Sequence, residues 1–199
     1  MRSFQAILFA AAATILAATC VVAEDTASSA TKQHSTPATK DSTIMRSTVS
    51  CPNCPDRNCY ECTLGHNTTL VANTGGLAFI QSLIGFKMPV DGSSVASCSI
   101  QIPAFTTPLQ YPVTVQIFKA DSSSWNEDTV TANNAPAPGN MVTSVLVPAY
   151  NNLPATDITA ACQAADNRKF SVYIGTQFDR IEFWSKDSGN PAILHITTN

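Results

Sequence analysis

The sequence predicts an all-β fold, a jelly-roll β-sandwich with one short helix. Three observations carry this. Short apolar runs alternate with polar residues, as in Val113, Val115 and Ile117 against Thr114 and Gln116. Pro-, Asn- and Gly-containing links separate those runs, and only one stretch, around Asp157, has a helix-start signal. With 199 residues and 44% apolar content, the chain can bury one sizeable core.

The N-terminus reads as a secretory signal over residues 1–23. Arg2 supplies the positive start, Phe4 to Ala18 the apolar stretch, and Val21-Val22-Ala23 a small-residue cleavage site before Glu24. Thr14 and Thr19 shorten the run below the ~20 residues that a membrane span requires. The expectation is a secreted protein of the extracellular space or cell wall, with no membrane attachment once the signal is removed.

Residues 24–50 are rich in Ser, Thr, Ala and Lys and poor in large apolar side chains. That composition predicts a disordered stalk, because it offers too little burial to offset backbone ordering. His34 falls within it and reads as a solvated tail residue.

Cys20 lies in the signal, leaving an even set of six cysteines in an oxidising compartment. Cys51, Cys54, Cys59 and Cys62 form a small Cys-rich knot over residues 51–63. Zinc is the weaker reading, since the gap between the two Cys pairs is much shorter than in a zinc ribbon. Their pairing stays open among three possibilities. Cys98, on the alternating run Cys98, Ile100 and Ile102, is expected to pair with Cys162 in the short helix.

The domain proper is expected over residues 64–199. Ile80, Ile84, Phe86 and Met88 form a half-buried strand ended by Pro89 and Asp91-Gly92. Further strands follow at Val113–Ile117, Met141–Val147, Phe170–Ile174, Ile181–Trp184 and Ile193–Thr197, with a short β-rich Thr-Val-Thr run at Thr129–Thr131. Asn67-Thr68-Thr69 is a glycosylation acceptor sequence.

Charge and motif content exclude several functions. Only 13% of residues are charged and the net charge is −3, against the clustered basic surface that nucleic acids require. His66 and His195 lie far apart, and the sequence has neither a Gly-x-Ser-x-Gly elbow nor a His-Glu-x-x-His helix. Glu127 and Asp128 are adjacent, so on a strand they point to opposite faces and cannot work as an acid/base pair. Asp121, Asp128 and Asn133 lack the close alternation of a calcium loop. The expectation is a non-catalytic monomer without metal or cofactor.

WNEDTV followed by NNAP, and FWSKDSGNPAILHI near the C-terminus, resemble the DNRLRE-type domain, also classed as carbohydrate-binding module family 96. IQSLIGFKMP, SCSIQIPAF and ATDITAACQAA add support in the expected order. Gln81, Ala132 and Asp187 depart from residues the family often has there. The resemblance implies a non-catalytic β-sandwich that binds polysaccharide. Sugar binding needs an aromatic platform and nearby polar or charged groups, which makes Trp125, Tyr173, Trp184, Arg180 and Lys186 the candidates. The alternative is a structural cell-wall or surface interaction protein without sugar affinity.

Overall fold

The computed structural model describes residues 31–47, 51, 54–74 and 78–198. The signal segment 1–23, residues 24–30 and residues 48–50 lie outside them.

Among the described residues, ten strands and one α-helix follow in order: β1 (Lys32–Ser47), β2 (Thr69–Ala72), β3 (Ala78–Lys87), β4 (Val95–Gln101), β5 (Val113–Ala120), β6 (Pro138–Val147), β7 (Thr156–Asp157), α1 (Thr159–Gln163), β8 (Lys169–Thr176), β9 (Ile181–Trp184) and β10 (Ile193–Thr198). The strand order is β6-β5-β8-β3-β1-β10-β4-β7, with β2 and β9 forming a separate two-stranded ribbon. All pairings are antiparallel. The result is the expected β-sandwich. Its main core draws Ile84 and Phe86 from β3, Ile117 from β5, Val172 and Ile174 from β8, Ile100 from β4, Leu194 and Ile196 from β10, and Leu70 and Phe183 from the ribbon.

The stalk expected at 24–50 is overturned across Lys32–Ser47, which is the longest strand, in the middle of the sheet. Its first part pairs with β10, from Lys32↔Thr198 to Pro37↔Ile193. Its second part pairs with β3, from Ala38↔Phe86 onward. A register shift lies between Ala38 and Lys40, directly after Pro37. Pro37 has no N–H to donate to a ladder, so a change of partner there leaves no donor unmet. His34, read as a tail residue, is half-buried opposite Ile196.

Ser and Thr are compatible with this buried strand because their hydroxyls find backbone partners. Thr43 Oγ1 accepts from the Val71 N–H at 3.1 Å, and Ser42 Oγ donates to the Thr43 carbonyl at 3.4 Å. Thr is moreover a good strand former, which an estimate based on hydrophobicity alone misses.

β3 is buried on both faces, not half-buried. Gln81, one of the departures from the family pattern, is buried with Ser82 and Leu83. The outer face of β1, β3 and β8 is covered by residues 121–137. Trp125 and Val130 from that loop pack with Ile44, Leu83, Ala120 and Tyr173 in a second cluster. The Thr-Val-Thr run correspondingly lies in that loop, not in a strand.

Cys98–Cys162 forms as expected and ties β4 to α1. Asp157 serves the helix start, its Oδ1 accepting from the Thr159 N–H at 3.0 Å and from Thr159 Oγ1 at 2.6 Å. Within the knot, Cys54–Cys62 is bridged. Cys51 and Cys59 are buried together in that cluster. The Cys59 thiol is pushed up to about 11, by burial first and then by its contact with Cys51.

Candidate functional site

Tyr173 is fully buried, and its hydroxyl donates to the Pro136 carbonyl, pinning the covering loop to β8. It offers no face to a sugar, a correction to its reading as a platform. Its phenol is pushed up by burial first, against the opposing effect of Arg46.

Trp125 is also largely buried. Its indole N–H donates to Ser171 Oγ at 3.1 Å, and Lys40 Nζ lies 4.1 Å from the ring centroid. Gly85 makes that stacking possible: a Cβ there would stand 2.7 Å from Lys40 Cε and 3.1 Å from Trp125 Cζ2. Any larger residue would push the lysine stem off the ring.

Lys186 is not available to a ligand either. It stands on the turn after β9, where Ser185 accepts from the Asp187 N–H. Its Nζ lies 3.0 Å from both Glu127 Oε2 and Asp187 Oδ2. Burial opposes its charge, but the hydrogen bonds it donates to Asp187 and Glu127 outweigh that and raise its pKa. Glu127 thus points inward, whereas Asp128 points out and meets His66 at 2.7 Å.

Arg180 is exposed and paired with Glu182 at 3.1 Å, at the opposite end of β9 from Trp184. Trp184 is 38% exposed and lines a hollow of about 550 Å³ with Gln101, Ile102, Pro103, Asn190 and Pro191. The five residues nominated from sequence therefore do not converge on one site.

A different set does. A groove of about 390 Å³ is lined by Lys40, Lys87, Lys169, Trp125, Ser123, Ser124 and Asn167. A second hollow of about 170 Å³ shares Ser123, Ser124, Asn167 and Lys169 and adds Lys119, together with Asp121 and Asp166. Four of the chain's six lysines thus border one continuous depression on a protein of net charge −3.

Strand register brings them together. Lys87 and Lys169 sit directly opposite on β3 and β8, and both are exposed. Like charges in that position repel and are normally disfavoured. Lys40 arrives from β1, with Nζ donating to the Ser123 carbonyl at 2.9 Å and to the Trp125 carbonyl at 2.5 Å. Its pKa is lowered by burial first and then by repulsion from Lys169, with Glu127 opposing. Lys119 Nζ donates to the Ala164 carbonyl at 2.7 Å. Lys40 and Lys119 therefore build the walls, while Lys87 and Lys169 leave their ammonium groups to solvent. Neither was singled out from the sequence.

The model of carbohydrate-binding module family 96 matches residues 58–198. The chain belongs to carbohydrate-binding module family 96. A relative from Arthroderma benhamiae, described as an uncharacterized secreted protein, is 55% identical over 164 residues, covering 82% of this chain and 84% of its own. β1 precedes the residues the family model matches, yet supplies Lys40 to the groove and Asp41 to the Lys186 cluster.

Proposed function

We propose that this protein is secreted and binds an anionic polysaccharide, one carrying uronate carboxylates, along the lysine groove over Trp125. The observation that carries the reading is the facing pair Lys87 and Lys169 at the mouth of a groove walled by Lys40 and Lys119. Two exposed like charges held together are relieved by a polymer that brings carboxylates to both. Repeated carboxylates at sugar spacing meet that demand, and Ser123, Ser124 and Asn167 offer partners for hydroxyls. Membership of a carbohydrate-binding family supports the ligand class, and the secreted relative supports the location. A cell wall or matrix is where such a polymer would be met, and a glycan on the partly exposed Asn67 is compatible with that setting.

Trp184 supports a second reading, in which a neutral sugar stacks over the apolar hollow at the end of β9. Retention of purified protein on a panel of insoluble wall polymers separates the two. Uronate-rich polymers should retain it, less so as salt rises, and Lys87→Ala with Lys169→Ala should abolish retention while Trp184→Ala leaves it. The reverse pattern, on neutral polymers, favours the Trp184 hollow. Retention on none favours a structural surface protein without sugar affinity and removes the proposal.

A further inference from the structure

Three carboxylates from distant parts of the chain meet beside Lys186. Asp41 comes from β1, Glu127 from the covering loop and Asp187 from the turn after β9, with one oxygen of each lying within 4.8 Å of the others. Asp41 is 1% exposed. Its Oδ2 accepts from the Lys186 N–H at 2.8 Å, but Oδ1 is buried with no hydrogen-bond partner. A carboxylate oxygen left without a donor in the interior is costly, and among the described residues Asp41 Oδ1 is the one carboxylate oxygen so placed. Lys186 Nζ already serves Glu127 and Asp187, and Glu127 Oε1 accepts from the Asp41 N–H at 2.7 Å. Three carboxyl groups therefore share the one ammonium in direct contact with them, that of Lys186, and Lys40 adds only a charge interaction with Glu127.

We propose that Asp41, Glu127 and Asp187 bind a calcium ion, with Asp41 Oδ1 as its buried ligand. The donors are all hard oxygens, and three carboxyl groups against one contacting ammonium favour a cation between them. Calcium takes oxygen ligands at about 2.3–2.6 Å in irregular geometry, so donors across the ion stand about 4.6–5.2 Å apart; magnesium, at about 2.0–2.1 Å and near-octahedral, demands a tighter cage. This site differs from the Asp121, Asp128 and Asn133 combination weighed from the sequence. Its ligands are 86 and 60 residues apart along the chain, which no loop motif would reveal. The ion would fasten the covering loop and the β9 turn to β1, one residue from Lys40.

Isothermal titration of calcium chloride into the full chain, after EDTA treatment and dialysis, tests this without reference to sugar. Calcium should bind with one-site stoichiometry and raise the melting temperature, an effect that equal magnesium does not reproduce. Asp187→Asn, a change at a partly exposed position, should weaken binding at least about tenfold, and Asp41→Asn should do the same if it folds. No heat and no thermal shift at millimolar calcium overturns the proposal. So does an unchanged calcium response in Asp187→Asn, or an Asp41→Asn protein that is more stable than wild type and indifferent to calcium, which would mean that Asp41 holds a proton instead. A calcium site without glycan retention would leave this inference standing and the proposed function fallen.

Discussion

β1 and β3 lie side by side in the same sheet, but only β3 resembles a strand in composition. β3 reads AFIQSLIGFK, β1 reads KQHSTPATKDSTIMRS, and their paired segments run antiparallel over most of their length. Apolar side chains fill the main core from β3 through Ile84 and Phe86. In β1 the burial comes from neighbours laid on top: Lys40, Ser42 and Ile44 face the covering loop, and Asp41, Thr43 and Met45 alternate with them toward the ribbon, the β9 turn and the Cys knot. Composition reports what a segment can bury by itself. It is silent on what other segments will cover, and the strand with the most polar sequence is the one on which groove and carboxylate cluster both depend.

The comparison is broken most directly by truncation. A chain beginning at Thr48 should lose cooperative unfolding altogether, because β3 and β10 would both expose a ladder edge and the outer cluster would lose Ile44. The chain beginning at Thr31 is the reference, and thermal circular dichroism reads both. If the truncated protein melts cooperatively at the same temperature, β1 is dispensable.

Single substitutions sharpen the same point. Ile44→Ala on β1 and Ile84→Ala on β3, at 1% and 0% exposure, should each cost about 3 kcal/mol in urea unfolding. A stalk that only rests against the sheet would show Ile84→Ala costly and Ile44→Ala near neutral.

A smaller effect comes from Asp41. In calcium-free protein its carboxyl is pushed up to about 7, by burial first and by Glu127 and Asp187 as like charges, against the Lys186 N–H. A folded value above the ordinary 3.8 makes the folded chain the better proton binder, so this contribution is complete at low pH and is lost as pH rises through 7. In EDTA, stability should therefore fall by at most about 4 kcal/mol between about pH 4 and pH 8, and Asp41→Asn should remove that slope. Urea melts across the range check it; a stability that rises with pH in EDTA, and still rises in Asp41→Asn, contradicts the assignment.

Much of the fold was legible because apolar alternation survives wherever one face of a strand meets the main core. β4, β5, β8, β9 and β10 fall where Cys98, Val113, Phe170, Ile181 and Ile193 place them. The Cys98–Cys162 bridge joins the two cysteines that lie outside the N-terminal four, one on the buried face of an alternating strand and one in the short helix. The site was less legible. Trp125 and Tyr173 were marked as aromatic platforms, but a ring buried beneath a loop and a ring on a surface have the same letter in a sequence. Lys186 stood out as a cation beside a strand, yet its partner Glu127 lies on a different loop. Lys87 and Lys169 are 82 residues apart, one ending a strand and one beginning another. Only the register of β3 on β8 makes them face each other.

The claim on which the functional account rests is that this lysine pair grips carboxylates on a polymer. Calorimetric titration of soluble polyuronate oligomers into the intact protein tests it most directly. The account predicts saturable binding that weakens with added salt, is lost in the Lys87→Ala, Lys169→Ala double variant, and is absent for the corresponding neutral oligomers. Equal affinity for neutral and charged oligomers, or undiminished binding in the double variant, would contradict it.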